Sequence, residues 1–297
     1  GGGTYLTLRA IQSLPFGIPK ICISTVATKD LSQQAGTKEV VLFPSLVDIA
    51  GLNRISRVII RQAAGAMVGM INATRIEESS KKTIAISMFG NTTACVEMCS
   101  QMLRAKGFEV LIFHSVGSGG RTMEALIREG AVDGVLDITT TELADELCQG
   151  ICSAGPHRLT AAAEAGIPQV VVPGCIDMVN FGHMHTVPEK YRNRLLFSWA
   201  PDVTLMRTDE EENRQLGYEI AHKLNNSSGP VKVLLPGEGL SEVSRKVEVF
   251  YAPQADQMLF NAIKTETNSD IEVIDIQANI NDKIFAEVAV NHLLKMI

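Results

Sequence analysis

The chain has 297 residues, of which 45% are apolar and 20% are charged, and its formal net charge is −6. This length is sufficient for one large domain or two smaller ones with a sizeable core. The acidic balance argues against a broad nucleic-acid interface, which requires clustered Lys and Arg. No apolar run approaches the roughly 20 residues that span a bilayer, and no signal peptide is visible. We therefore expect a cytoplasmic protein that binds neither nucleic acid nor membrane.

The six cysteines form no Cys-x-x-Cys pair and have no matching histidine spacing for zinc. This pattern predicts reduced, buried thiols, with neither a structural disulfide nor a bound metal. The chain opens on Gly1-Gly2-Gly3-Thr4 rather than on Met. We interpret it as a piece of a longer protein, with an upstream segment missing.

Short apolar runs alternate with helical patterns along nearly the whole chain. The first part predicts, in order, a helix at Tyr5–Ser13, strands at Ile21–Thr25 and Val40–Phe43, and a helix from Leu52 to Ile71. The polar segment Arg75–Lys82 is then predicted to be a linker. Residues 1–76 hold too few strands to complete a sheet, so we expect the end of a first α/β subdomain that is N-terminally incomplete.

Residues 83–297 are predicted to form a complete second subdomain. Its strands are expected at Thr83–Phe89, Glu109–His114, Val135–Ile138, Gln169–Val172, Val203–Arg207, Lys232–Leu235 and Ile271–Ile276. Its helices are expected at Ala94–Ala105, Thr122–Glu129, Glu142–Gln149, Arg158–Ala165, Glu210–Asn225, Ala255–Thr265 and Asp282–Lys295. Continuous apolar strands are typical of a parallel sheet buried on both faces. The fold class is therefore α/β, with two tandem Rossmann-like subdomains whose mainly parallel sheets are covered by helices.

In such sheets, ligands bind beyond the carboxyl ends of the strands, so the loops that follow strands are the candidate sites. Gly1–Thr4 precedes a helix and is either a phosphate loop at a helix N-terminus or a truncated chain end. The loop between a strand and the long helix contains Asp48, Asn53 and Arg54. These residues could contact a ribose, a base or a phosphate. The first subdomain thus predicts an anion or nucleotide site.

The long helix carries small residues at Ala63–Ala66 and Gly69. Such residues allow close packing, either within the chain or between subunits. Together with the incomplete first sheet, this band leads us to expect a homodimer or a higher symmetric oligomer.

Four loops of the second subdomain are rich in Gly, Ser, Thr and Asn. Phe89–Thr93 supplies a ligand-binding loop or a helix cap, and Thr139–Glu142 is partly an ordinary capping sequence. Val116–Thr122 brings glycines, hydroxyls and Arg121 to one helix N-terminus, which favours anion binding over a merely flexible loop.

The fourth loop contains Asp177, Asn180, His183 and His185. Its two histidines with Asp177 could bind metal or transfer protons, but ordinary polar roles are the simpler interpretation. A Walker-type phosphate loop and a Gly-x-Ser-x-Gly elbow are both missing, and no spacing identifies a catalytic base. The catalytic residues are therefore unknown.

Six longer segments resemble the Tm-one-like ATP-binding family, which includes the tomato mosaic virus resistance protein and bacterial and fungal relatives. They are Leu14–Lys20, Asp48–Ser56, Met88–Thr93, Asp137–Asp145, Val172–Gly182 and Asn279–Asp282. The resemblance covers essentially the whole chain and implies two tandem α/β subdomains, the first beginning upstream of Gly1. It also implies that Gly1–Thr4 is a true phosphate loop. In Glu238–Pro253 the family's glycine- and aspartate-rich pattern is missing, so no role is carried onto that segment.

The resemblance implies ATP as the ligand, with magnesium only as the companion of the nucleotide. The predicted nucleotide or anion site of the first subdomain consists of Gly1, Gly2, Gly3, Thr4, Ser24, Thr25, Asp48, Gly51, Asn53 and Arg54. The predicted pocket of the second consists of Gly90, Asn91, Thr92, Thr93, Ser118, Gly119, Gly120, Arg121, Thr139, Thr140, Asp177, Asn180 and His183. Two other functions stay open. One is an enzyme acting on a phosphorylated or carboxylated metabolite, and the other is a binding module that acts through a protein partner, as the plant members do against a viral replication protein.

Overall fold

The computed structural model describes residues 2–73 and 81–297, and the chain divides into two compact units, residues 1–79 and 80–297. Gly1 and most of the predicted linker Arg75–Lys82 lie outside the described residues. Within the described ranges, no helix is both long enough and apolar enough to cross a membrane.

Unit 1 is a small α/β unit around a two-stranded parallel sheet. Its elements are helix α1 (Gly2–Ile11), strand β1 (Ile21–Ser24), helix α2 (Ser32–Ala35), strand β2 (Val41–Pro44) and helix α3 (Arg54–Ile71). Helix α1 begins at Gly2 rather than at Tyr5, so Gly2 and Gly3 belong to its first turn instead of to a separate loop. Leu8 of α1 packs against Cys22 of β1 and Leu31 to form the core of this unit.

Unit 2 contains nine strands and seven helices among the residues that the structure describes. The strands are β3 (Thr83–Met88), β4 (Glu109–His114), β5 (Gly134–Thr139), β6 (Gln169–Gly174), β7 (Met178–Phe181), β8 (Leu196–Ala200), β9 (Val203–Arg207), β10 (Val231–Pro236) and β11 (Glu272–Ile276). The helices are α4 (Thr93–Ala105), α5 (Ser118–Arg128), α6 (Thr141–Cys148), α7 (Ala161–Ala165), α8 (Glu210–Leu224), α9 (Pro253–Glu266) and α10 (Lys283–Leu294). Short 3-10 helices lie at Gly90–Thr92, Met184–Thr186, Glu189–Tyr191 and Glu242–Ser244.

Six of these strands form one parallel sheet in the order β11-β10-β6-β5-β3-β4. The predicted α/β class is thereby confirmed. One face of the sheet packs on α4 and α10, and the other on helices that include α6, α8 and α9. Because β4 and β5 lie on opposite sides of β3, the strand order reverses there, which is where doubly wound folds open a ligand crevice.

A second, antiparallel sheet of order β7-β9-β8 interrupts the parallel pattern between β6 and β10. The sequence predicts β9 correctly as a strand, but it does not predict β7 or β8. Strand β7 is only four residues long, and β8 mixes apolar and polar positions without a continuous run.

The helix predicted at Arg158–Ala165 is wrong at its start, since α7 begins only at Ala161. Leu159 has φ of 71°, a left-handed conformation that a right-handed helix cannot contain. The side chain of Arg158 is instead fully buried in the interior.

Candidate functional site

A polar cleft of about 550 Å³ opens in unit 1 at the carboxyl end of β1. Its lining brings together five of the predicted site residues, namely Gly3, Thr4, Ser24, Thr25 and Asp48. The Thr4 and Ser24 hydroxyls are 2.6 Å apart and join the first turn of α1 to the end of β1. The positive end of the α1 dipole therefore lies beside this cleft, which favours an anion there.

An apolar cleft of about 350 Å³ adjoins the polar one, because Ile23 and Ile49 line both. Its other walls include Leu52, Ile59 and Ile60. Gly51, another predicted residue, also lines this cleft and has φ of 81°, which a side chain would strain. The predicted site did not include the isoleucines, whose spacing suggested only helix and strand packing.

Three of the predicted residues have different surroundings. The Asn53 side chain caps α3 by accepting hydrogen bonds from the N–H groups of Ile55 and Ser56, so its amide oxygen is already engaged. Arg54 is exposed at the start of α3, and Gly2 starts α1. Gly1 lies outside the described residues.

In unit 2, the predicted anion loop at the start of α5 already holds an anion of the protein itself. The Glu142 carboxylate accepts the N–H groups of Gly117 at 2.7 Å and Gly120 at 3.1 Å. Arg121 points elsewhere and donates to the Ser153 carbonyl at 2.8 Å. The N–H groups of Gly117 and Gly120 are therefore already engaged by a buried carboxylate, and the role of this loop toward an external anion stays a prediction. Gly119 and Gly120 are required because a Cβ there would overlap the His114 carbonyl or Glu142.

The centre of unit 2 is organised by Arg158, a residue that the sequence did not identify. Its guanidinium contacts the carboxylates of Asp137 at 2.6 Å, Glu142 at 2.6 Å and Glu124 at 3.2 Å. Glu124 in turn accepts the N–H groups of residues 159–161 and so caps α7, just as Glu142 caps α5. The buried guanidinium of Arg158 thereby holds in place the two carboxylates that accept the N–H groups at the starts of α5 and α7. Burial raises the pKa of Glu142, and Arg158 opposes that shift.

The polar residues at the strand-order reversal are buried. The hydroxyl oxygen of Thr92, in the 3-10 helix that follows β3, is 2.8 Å from that of Thr139 at the end of β5, and Asn91 is 1% exposed. Thr140 donates to the Val172 carbonyl. Gly90 and Thr93 flank them at the start of α4. Hydrogen bonds among these side chains and the backbone connect the loops at the carboxyl ends of the strands. The role of these residues in binding a ligand stays a prediction.

The fourth predicted loop does not assemble a metal site. Among the described residues, no three His, Cys, Asp or Glu side chains are placed to hold a metal ion. His183 stacks on His185 with ring centroids 5.4 Å apart and contacts the Pro201 carbonyl oxygen. Asp177 is fully buried, and one of its carboxylate oxygens accepts the Ser241 hydroxyl.

Asn180 positions a buried carboxylate, that of Asp145, whose protonation should make the stability of unit 2 depend on pH. Asp145 accepts the Asn180 amide at 2.7 Å and the Cys152 N–H at 3.1 Å, and burial raises its pKa to about 7. Since the folded pKa exceeds the unfolded one, the folded state holds a proton that the unfolded state has lost. From Asp145 alone, we expect the stability of unit 2 to fall by up to about 1.4 kcal/mol per pH unit as pH rises from 4 to 7.

The measurement is urea unfolding between pH 5 and pH 8, followed by the single tryptophan, Trp199. The Asp145→Asn variant should flatten this profile. An unchanged slope in the variant would exclude Asp145 as its origin.

Two α/β units, the larger one a doubly wound parallel sheet, define a Rossmann-like protein, a class that receives small molecules at the carboxyl ends of its strands. Residues 1–76 match the N-terminal domain, and residues 81–297 the C-terminal domain, of the Uncharacterised protein family (UPF0261). The chain belongs to the UPF0261 family.

Relatives are found in bacteria and in a plant. The UPF0261 protein of Clostridium tetani is 43% identical over all of this chain and 74% of its own length. That of Rhizobium meliloti is 43% identical over 98% of this chain and 73% of its own. The ToMV resistance protein Tm-1(GCR237) of Solanum lycopersicum is 41% identical over 99% of this chain, which spans 40% of the tomato protein. The resemblance inferred from the motifs is confirmed.

Proposed function

We propose that this protein binds a nucleotide, ATP, in the two adjoining clefts of unit 1. The observation that carries the proposal is their adjacency, since Ile23 and Ile49 line both a polar and an apolar compartment. A nucleotide has the same division into charged phosphates and a flat, largely apolar base. Both compartments lie within the size range of small-molecule sites, about 300–1,000 Å³.

The polar compartment offers a place for the phosphates. Gly3 and Thr4 belong to the first turn of α1, where main-chain N–H groups lack helical partners and favour an anion. A Cβ on Gly3 would have no heavy atom within 4 Å, so a ligand can approach the backbone closely. Ser24 and Thr25 line the same compartment.

Asp48 is a carboxylate in the lining of this compartment and is exposed. A carboxylate beside the phosphates would repel them unless it accepts ribose hydroxyls or contacts a magnesium ion that accompanies the nucleotide. The apolar compartment, with Leu52, Ile59 and Ile60, would then enclose the base.

The test replaces Gly3 with a negatively charged residue, which has the same sign of charge as the phosphates. Gly3→Asp adds a carboxylate to the first turn of α1, which should stabilise that helix by about 0.3–1 kcal/mol. The same charge should repel phosphate and weaken ATP binding at least about tenfold, measured by isothermal titration calorimetry. Wild-type protein should gain about 2.7 kcal/mol of stability at 100 times the dissociation constant.

Gln33→Asp is the control, because Gln33 is exposed on α2 and lines neither cleft. This variant should bind ATP as the wild-type chain does. Adenosine should bind more weakly than ATP, since it lacks the phosphates. Equal ATP affinity in Gly3→Asp and wild-type protein, or no nucleotide binding at all, would refute the proposal.

A second candidate function is association through a protein surface. Helix α3 exposes Ile55, Val58, Val68 and Ile71, each more than 40% exposed. Of its predicted small-residue band, Ala64, Gly65 and Gly69 are also exposed. The tomato relative is named a ToMV resistance protein. A homodimer through this face is the form of association that we propose.

A further inference from the structure

Unit 2 contains a third cleft, of about 470 Å³, at the carboxyl ends of β10 and β11. Its lining includes Gly237–Gly239, which directly follow β10, and Asn279, which follows β11. Parallel sheets bind ligands at this edge. The segment Glu238–Pro253, to which the sequence assigned no role, forms much of the wall.

The floor of the cleft is held in one conformation. The Asn279 side chain donates to the carbonyls of Glu238, Gly239 and Ser241 at 3.2–3.3 Å, and its own oxygen accepts the Asn281 N–H. Gly239 has φ of 125°, and a Cβ there would lie 2.6 Å from the Asn279 amide nitrogen. A fixed floor reduces the ordering cost of binding.

The segment that borders the cleft contains two positively charged residues. Arg245 is held by Asp282 at 2.8 Å, while Lys246 is exposed and has no ion-pair partner within residues 2–73 and 81–297. The Glu248 N–H bonds back to the Arg245 carbonyl, and the following Phe250 is fully buried. This turn holds the backbone on which both residues lie, and the Asp282 ion pair also holds the Arg245 guanidinium.

Two carboxylates face the same cleft. Glu238 is exposed, whereas Asp256 is 8% exposed and bonded to Arg207 at 2.5 Å. Burial raises the pKa of Asp256 to about 6, against the opposing charge of Arg207. Carboxylates accept hydrogen bonds from hydroxyl groups, and the rings of Tyr251 and Phe260 add apolar wall.

We infer that this cleft binds a small organic anion that also carries hydroxyl groups, such as a sugar phosphate. The anionic group would lie against Arg245 and Lys246, and the hydroxyl groups would donate to Glu238 and Asp256. This site is additional to the proposed nucleotide site, because its lining residues belong to unit 2 alone.

The experiment titrates the full chain with ribose 5-phosphate by calorimetry, and with inorganic phosphate and ribose as its two fragments. Ribose 5-phosphate should bind more tightly than either fragment. Lys246→Glu should weaken its binding at least about tenfold by reversing a charge at the anion. Lys106→Glu is the control, because Lys106 is exposed at the end of α4, on the opposite edge of the sheet.

Glu238→Gln tests the role assigned to the hydroxyl groups. It should weaken ribose 5-phosphate binding several-fold while leaving or improving the affinity for inorganic phosphate. Gly3→Asp, which alters only unit 1, should leave ribose 5-phosphate binding unchanged, so failure here is separate from failure of the nucleotide proposal.

Three outcomes would overturn the inference. They are no saturable binding of ribose 5-phosphate up to about 10 mM, well beyond the millimolar affinities of weak ligands, equal binding by wild-type and Lys246→Glu protein, and loss of binding only in Gly3→Asp.

Discussion

Arg158→Met should destabilise unit 2 by about 3–5 kcal/mol, the usual cost of removing one partner from a buried ion pair. The variant leaves Asp137, Glu142 and Glu124 in the interior without their cation. Glu142 and Glu124 also cap α5 and α7, so the loss extends to two helix starts. Urea unfolding followed by Trp199 fluorescence measures the change.

Two comparisons identify the cause of this loss. Arg214→Met removes an exposed pair with Glu211 and should leave the unfolding midpoint in urea close to that of the wild-type protein. The deficit of Arg158→Met should shrink from pH 8 to pH 5, because carboxylates without a cation take up protons and lose their buried charge. A deficit of equal size at both pH values would point to lost packing rather than to charge.

Gly119→Ala should cost unit 2 about 3 kcal/mol, at the upper end of the usual overpacking penalty. Gly119 lies in the first turn of α5, where an added Cβ would overlap the backbone carbonyl oxygen of His114 at the end of β4. Backbone cannot move aside as a flexible side chain can. Either α5 shifts away from β4, or the contact between Glu142 and the N–H groups of this loop is lost.

Gly90→Ala is the matched control for this substitution. The nearest atom to its added Cβ belongs to the Trp199 ring at 4.0 Å, an ordinary contact distance. Its unfolding midpoint in urea should lie close to that of the wild-type protein, whereas the midpoint of Gly119→Ala should fall clearly. Similar midpoints for both variants would contradict the steric explanation.

The parallel sheet could be predicted because its strands carry their own signal. Strands such as β3 and β6 are continuous apolar runs, since both of their faces are covered by helices. The antiparallel strands β7 and β8 carry no such signal. They are four and five residues long. Their pairing with β9 depends on tertiary contacts, which local composition does not predict.

The site residues could be predicted only where they lie close together in the sequence. The glycines, hydroxyls and Asp48 of the polar cleft follow from loop composition, and the structure brings five of those residues together. The Val116–Thr122 loop has the same composition, yet its donors bind Glu142, a partner 25 residues away from Gly117. Arg158 was missed for the same reason, because its burial depends on three carboxylates distant in sequence.

The six cysteines, all buried and free, give the protein built-in reporters of its own local opening. A thiol reagent reacts with such a side chain only when the surrounding structure transiently opens. Cys22 is the sole cysteine of unit 1, whereas the other five belong to unit 2. The rate of Cys22 modification therefore follows the fluctuations of the proposed nucleotide unit separately from those of the larger sheet, without any engineered label.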